Sequence, residues 1–121
     1  MQDGKFDPYM YTAKLIDLYD GDTGRFLIDL GFKIFVQKKI RFFGINTPEK
    51  RGESKPEGLA AREYVMGLLE GKKIVIKTLK GQKTCKYGRS LCVIYTVEED
   101  GTLFNVNEAI VKAGHGIVYL P

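Results

Sequence analysis

Hydrophobic positions along this chain follow two periods. Residues 9–19, 25–30 and 34–45 are rich in aromatic and branched aliphatic side chains and read as three strands. Asp20-Gly21-Asp22-Thr23-Gly24 separates the first two, with Asp-Gly a strong turn signal, and Gly31 separates the second from the third. A helical period takes over at residues 56–70. Leu59, Ala61, Val65, Leu68 and Leu69 recur at helical spacing, with Pro56 early and Gly71 just past the end. Residues 73–79 and 90–97 return to strand character and are joined by a basic loop, 80–89. Glu98-Glu99-Asp100-Gly101 reads as a hairpin turn. Asn105 or Asn107 can cap a short helix that runs through Ala113 and ends at Gly114. Residues 50–57 form a polar, charged loop, the element expected to be most flexible, and residues 1–8 are expected to be a flexible N-terminus.

Three strands, a helix, two strands and a terminal helix predict an α+β chain built as a small closed β-barrel. A five-stranded OB-fold is the economical arrangement, with one helix between strands three and four and a second at the C-terminal end. Closure removes the exposed strand edges that a small open sheet would carry. The length of 121 residues suits one domain, and there are no repeats or interdomain linkers. Barrels of this kind commonly bind oligonucleotides across one face, but the fold alone assigns no function.

Charge adds a partner class. The net charge is +4, yet distribution says more than the total. Residues 71–97 contain no acid, while Lys72, Lys73, Lys77, Lys80, Lys83, Lys86 and Arg89 all fall within them. One reading is a solvated basic face; the other is a surface that attracts a nucleic-acid backbone. No apolar run approaches a membrane span, and Met1 to Pro8 has neither the basic start nor the apolar core of a secretion signal. A cytoplasmic protein is expected, with a secreted form trimmed of its leader as the alternative. Cys85 and Cys92 are too few for a disulfide scaffold and their seven-residue separation suits no common zinc site, so they are expected to be reduced thiols. His115 is the only histidine and is expected to be structural; neither cysteine has the motif a Cys-His dyad would need.

The chemistry concentrates in Arg41-Phe42-Phe43-Gly44-Ile45-Asn46-Thr47-Pro48-Glu49. A guanidinium able to grip phosphate interrupts an apolar strand, and a carboxylate able to accept a proton follows eight residues later. Asn-Thr-Pro makes a turn for conformational reasons alone, because proline fixes its own φ and restricts the residue before it. Arg41 between Ile40 and Phe42 is harder to explain by solubility. Upstream, Asp20 and Asp22 share one turn and repel each other unless a cation relieves them.

In order and spacing, Asp20-Gly21-Asp22-Thr23, the Arg41-led strand ending in Thr47-Pro48-Glu49, Lys86-Tyr87-Gly88-Arg89, and Val106-Asn107-Glu108-Ala109 leading to Gly114 resemble the staphylococcal nuclease family. The resemblance covers about residues 11–119 and implies a calcium-dependent nuclease that hydrolyses DNA and RNA with low base specificity. It implies Asp22 as first metal ligand, the Thr47 carbonyl as another, and Glu49 as general base. Arg41 and Arg89 would grip the scissile phosphate. Arginine's planar fork matches phosphate oxygens and stays charged through the transition state. Lys86 and Tyr87 would contact the nucleotide, and Tyr119 would stack on a base. Water would attack phosphorus in line and the 5′-oxygen would leave, giving 5′-hydroxyl and 3′-phosphate ends. Single-stranded or frayed substrate, handled by a monomer, is implied.

The sequence departs from the family pattern in places. Asn46 stands where well-known members carry a second metal-binding aspartate; its amide oxygen can coordinate but brings no charge, so weaker metal affinity is expected, and magnesium or manganese could replace calcium. Cys85 replaces a residue that is often acidic, the loop at 50–57 is short, and Pro121 follows soon after the last helix, so the final helix of many members is not expected. Two rivals stand beside the nuclease: a catalytically weak or inactive nucleic-acid-binding module of the same fold, and a plain OB-type protein-interaction domain.

Overall fold

A computed structural model describes residues 8–79 and 90–120. The expectations for residues 1–7 and for the basic loop, including Cys85, Lys86, Tyr87 and Arg89, lie outside the described residues. The elements run β1 (Met10–Asp20), β2 (Thr23–Asp29), β3 (Phe35–Phe42), β4 (Ile45–Asn46), a 3-10 turn (Gly52–Ser54), α1 (Lys55–Leu69), β5 (Ile74–Thr78), β6 (Ser90–Val97), β7 (Leu103–Asn105), α2 (Val106–Lys112) and β8 (Ile117–Val118).

Strands neighbour one another in the order β3-β2-β1-β5-β6, and a parallel pairing of β3 with β6 closes the ring. Five strands therefore make a closed barrel, with α1 between its third and fourth strands, as an OB-fold requires. Ile40 opposite Ser90, Arg41 opposite Leu91 and Phe42 opposite Cys92 form the seam. β7 extends the sheet beyond β6, and β4 pairs with β8 in a separate two-stranded ribbon.

Alternation explains which side chains fill the barrel. Phe26, Ile40, Phe42, Ile74, Ile76 and Ile94 are fully buried, each residue on its strand pointing inward at every second position. Val65 and Leu69 of α1 and Val106 and Ile110 of α2 join the same core. Each large aliphatic or aromatic side chain so buried contributes roughly 1.5–3 kcal/mol. Cys92 is also buried; removal from water pushes its thiol up to about 12, so it is a small hydrophobe rather than a nucleophile.

Several local expectations need correction. The segment 50–57 is not a continuous loop: the 3-10 turn occupies part of it and α1 begins at Lys55. Pro56 sits in the first turn, where a missing N–H costs nothing. The buried face of α1 runs Gly58, Ala61, Val65, Leu69, and Leu59 is exposed. The third strand stops at Phe42 rather than continuing to Ile45, because Gly44 adopts φ 83° and redirects the chain into β4. Asn105, not Asn107, caps α2, its Oδ1 accepting from the Glu108 N–H at 3.0 Å. Asn107 instead lies buried, accepting from the Ile94 N–H (3.0 Å) and donating to the carbonyls of Phe43 (2.8 Å) and Cys92 (3.3 Å). It thus bolts α2 onto the barrel seam. Among the described residues no helix is long and apolar enough to cross a membrane.

Candidate active site

Gly21 and Asp22 form the two-residue connection between Asp20 of β1 and Thr23 of β2, which are partners in the ladder. A Cβ on Gly21 would lie 3.1 Å from both the Ala61 Cβ and the Thr47 Cγ2, so the turn packs tightly under α1 and beside Thr47. This closeness buries Asp22, which is only 5% exposed. The Asp22 carbonyl accepts from the Phe42 N–H at 2.8 Å, tying the turn to the end of β3.

The Asp22 carboxylate is surrounded by donors. Its Oδ1 accepts from the Thr23 hydroxyl at 3.0 Å and its Oδ2 from the Thr47 N–H at 2.9 Å. The Arg41 Nη1 closes on the same Oδ2 at 2.5 Å, an ion pair whose members are 14% and 7% exposed. Arg41 Nη2 donates to the Asn46 Oδ1 at 3.1 Å. The cation that relieves the acidic turn is therefore Arg41, and Asn46 fixes the other arm of its fork. Arg41 reaches this position because Ile40 and Phe42 point into the barrel and the residue between them must point out. The Thr47 Oγ1 is buried beside this group without a hydrogen-bond partner.

Glu49 is not part of the cluster. Its carboxylate is 66% exposed and faces the Arg51 Nε at 3.4 Å. Its backbone, by contrast, is held firmly: the Ser54 hydroxyl donates to the Glu49 carbonyl at 2.8 Å, and a Cβ on Gly58 would fall 2.2 Å from that same oxygen. Tyr119 is half exposed, with its N–H donating to the Gly44 carbonyl at 2.8 Å. Pairing of Ile45 with Val118 and Asn46 with Ile117 keeps this C-terminal segment alongside Asn46. His115 stacks on Tyr64 with ring centroids 4.7 Å apart, a packing contact between α1 and the segment after α2.

Four of the expected site residues, Asp22, Arg41, Asn46 and Thr47, thus meet through direct bonds. Glu49 and Tyr119 stand on the flanking segments with their side chains toward solvent, and Arg89, Lys86 and Tyr87 lie outside the described residues. Among the described residues no three or more histidine, cysteine, aspartate or glutamate side chains converge as a metal cluster. Sequence reasoning missed Gly58 and Ser54, which position Glu49, and Arg62, whose Nε donates to the Leu18 carbonyl at 2.7 Å and pins α1 to β1. A glycine inside a helical period was the available signal for Gly58, since such a position marks close backbone approach.

A relative, uncharacterized protein MJ1439 of Methanocaldococcus jannaschii, is 26% identical over 130 aligned positions that cover 91% of this chain. The chain spans 60% of that relative's length. Residues 39–120 match the family described as staphylococcal nuclease homologue. With more than half of the chain matched, the chain belongs to the staphylococcal nuclease homologue family.

Proposed function

We propose that this chain is a divalent-metal-dependent nuclease that hydrolyses phosphodiester bonds of single-stranded or frayed DNA and RNA with little base preference. The observation that carries this reading is the convergence of Asp22, Arg41, Asn46 and Thr47, polar residues from three segments that contact one another at the barrel surface. A buried carboxylate and a guanidinium serve no core packing there. Arg41 Nη2 donates to the Asn46 Oδ1 while Nη1 stands beside the Asp22 carboxylate without a hydrogen bond, so a phosphate could engage the guanidinium.

The donor set suits a hard cation. Asp22 carboxylate, Asn46 amide oxygen and Thr47 carbonyl are all oxygen ligands, and the unpartnered Thr47 hydroxyl supplies a further oxygen beside them. Those residues would hold calcium, with magnesium or manganese as alternatives; the bound ion would acidify a water and offset charge on the phosphate. Arg41 and Arg89 would hold the phosphate oxygens and stabilise the added charge of the transition state. Glu49, turning from Arg51, would take the proton from the attacking water. Lys86, Tyr87 and Tyr119 would hold the adjoining nucleotides.

A second reading has its own support. Asn46 leaves one formal negative charge among the three ligands, Arg41 sits on that charge, and Glu49 faces away. These features suit a nucleic-acid-binding module with little or no catalysis. Incubation of the protein with heat-denatured DNA and with RNA, in calcium, magnesium, manganese or chelator, separates the two. Metal-dependent release of 5′-hydroxyl and 3′-phosphate ends, abolished in Glu49→Gln, supports the nuclease. Binding without cleavage in every metal supports the module.

A further inference from the structure

Tyr19 lies at an irregularity in β1. Leu18 is opposite Gly24 and Asp20 is opposite Thr23, so Tyr19 is the extra residue of a β-bulge. Bulges re-aim side chains and are frequent beside active sites. Here Leu18 turns into the core while Tyr19 remains 39% exposed. Three cations gather on its ring. Lys39 Nζ lies 4.6 Å from the ring centroid, and Lys50 Nζ and the Arg25 guanidinium each lie 5.9 Å from it. Arg25 also donates to the Tyr19 hydroxyl at 3.2 Å. A depression of about 240 Å³ opens here, lined by Tyr19, Asp20, Thr23, Lys39, Lys50 and Arg51.

Solubility does not account for this convergence, since isolated surface cations point apart into water. Lys39 is directly opposite Arg25 in the β2–β3 ladder, an arrangement that like charges disfavour. Arg25 has a distant carboxylate in Asp17 at 4.0 Å and Arg51 has Glu49, whereas Lys39 and Lys50 have no carboxylate partner among the described residues. Asp20 is the acid that lines the depression. Lys39 is also two residues from Arg41 on the same face of β3, roughly 6.6 Å along the strand. Aromatic platform, unpaired cations and the Arg41–Asp22 pair therefore form one continuous surface.

We propose that Tyr19, with Lys39 and Lys50, is a subsite that stacks one base of single-stranded nucleic acid and holds its neighbouring phosphate, next to the Arg41–Asp22 centre. The subsite rests on the nucleic-acid reading above, though not on catalysis. A phosphate draws Lys39 off the ring and a base takes the vacated face. The exchange is favourable because an exposed cation–π contact is weaker than base stacking combined with a phosphate contact.

The test is fluorescence anisotropy of a labelled oligothymidylate with the full chain in chelator, repeated over a salt series and with inorganic polyphosphate as competitor. Tyr19→Leu is expected to weaken oligonucleotide binding roughly fivefold or more while leaving polyphosphate affinity unchanged, and Tyr19→Phe to stay close to wild type. Lys39→Gln, a surface change that leaves the fold intact, is expected to lower the slope of log affinity against log salt by about 0.7. Thermal melts confirm that each variant is folded. The subsite is overturned, with the nucleic-acid reading intact, if wild type binds the oligonucleotide while Tyr19→Leu and Lys39→Gln match it in affinity and slope. An equal loss of oligonucleotide and polyphosphate in Tyr19→Leu also overturns it, because stacking would then play no part. Absence of any oligonucleotide binding by wild type overturns the subsite and the nucleic-acid reading together.

Discussion

Gly58 of α1 rests against the backbone of Glu49, so near that a Cβ on the glycine would lie 2.2 Å from the Glu49 carbonyl oxygen. The helix thereby sets where the chain passes after Thr47-Pro48. Gly67, in the same helix, has open space around its missing Cβ. Alanine at the two positions should therefore act in opposite directions. Gly67→Ala should stabilise by about 0.5–1 kcal/mol through helix propensity alone. Gly58→Ala should destabilise by about 1–3 kcal/mol despite the same propensity gain, because helix or Glu49 segment must shift. Urea melts of the two variants check this, and equal stability of the pair would count against the packing argument. Cleavage assays on Gly58→Ala report separately on Glu49.

The pairing of Asp22 with Arg41 is buried on both sides, so removing one charge strands the other. Asp22→Asn and Arg41→Gln should each cost about 2–3 kcal/mol, since a charge left nearly dry loses its counter-charge without regaining water. The double variant should lose less than the sum, with a coupling of about 1 kcal/mol or more by denaturant melts. Additive losses would mean that the two side chains stabilise the fold independently.

Asn46→Asp should tighten calcium binding. Contact between unit charges near 4 Å contributes at most about 4 kcal/mol at an effective dielectric of 20, and dehydration offsets much of it, leaving an expected gain of about tenfold. A calcium titration of activity gives the half-saturation point for both proteins. The same change places a carboxylate where the Asn46 amide oxygen now accepts from Arg41, so the variant should also melt higher in chelator. An unchanged half-saturation point would show that the missing charge at Asn46 does not limit metal binding.

Cys92 predicts an alkaline limb in stability. Burial raises its thiol from 9.0 to about 12, so between those values the unfolded chain has lost a proton that the folded chain keeps. Stability from this group is complete below pH 9 and falls as pH rises toward 12, by about 1.4 kcal/mol at pH 10. Denaturant melts from pH 8 to 10.5 should fall more steeply for wild type than for Cys92→Ala. Parallel slopes would show that the thiol titrates alike in both states.

Much of this was legible in the chain itself, because periodicity and short motifs are local signals. The barrel strands and the helix between the third and fourth of them follow from period and alternation, the grouping of Asp22 with Asn46 and Thr47 is what the family resemblance implies, and the ion pair of Arg41 with Asp22 is visible only in the structure. What was not legible depends on distant neighbours. Leu59 has the character of a core residue, yet Gly58 takes the inner position because the Glu49 backbone passes there. β8 pairs through Ile117 and Val118, two mostly exposed residues with no alternating pattern to announce them. The Tyr19 platform needs a bulge and three strand or loop partners, none of which is a sequence neighbour except through the fold. Glu49 could be named as a carboxylate near Arg41, but its direction toward Arg51 is a property of the turn.

The seam between β3 and β6 also bears on when the surroundings of Arg41 are completed. Arg41 is paired on one side with Thr23 and on the other with Leu91, residues separated by most of the chain. Long-range pairing of this kind forms late and slowly in folding. During synthesis the seam therefore stays open until residues 90–97 have left the ribosome, whereas the Asp22, Arg41 and Thr47 contacts lie wholly within residues 22–47. Until then one ladder edge of the strand that carries Arg41 stays unpaired, and closure of the barrel completes its surroundings.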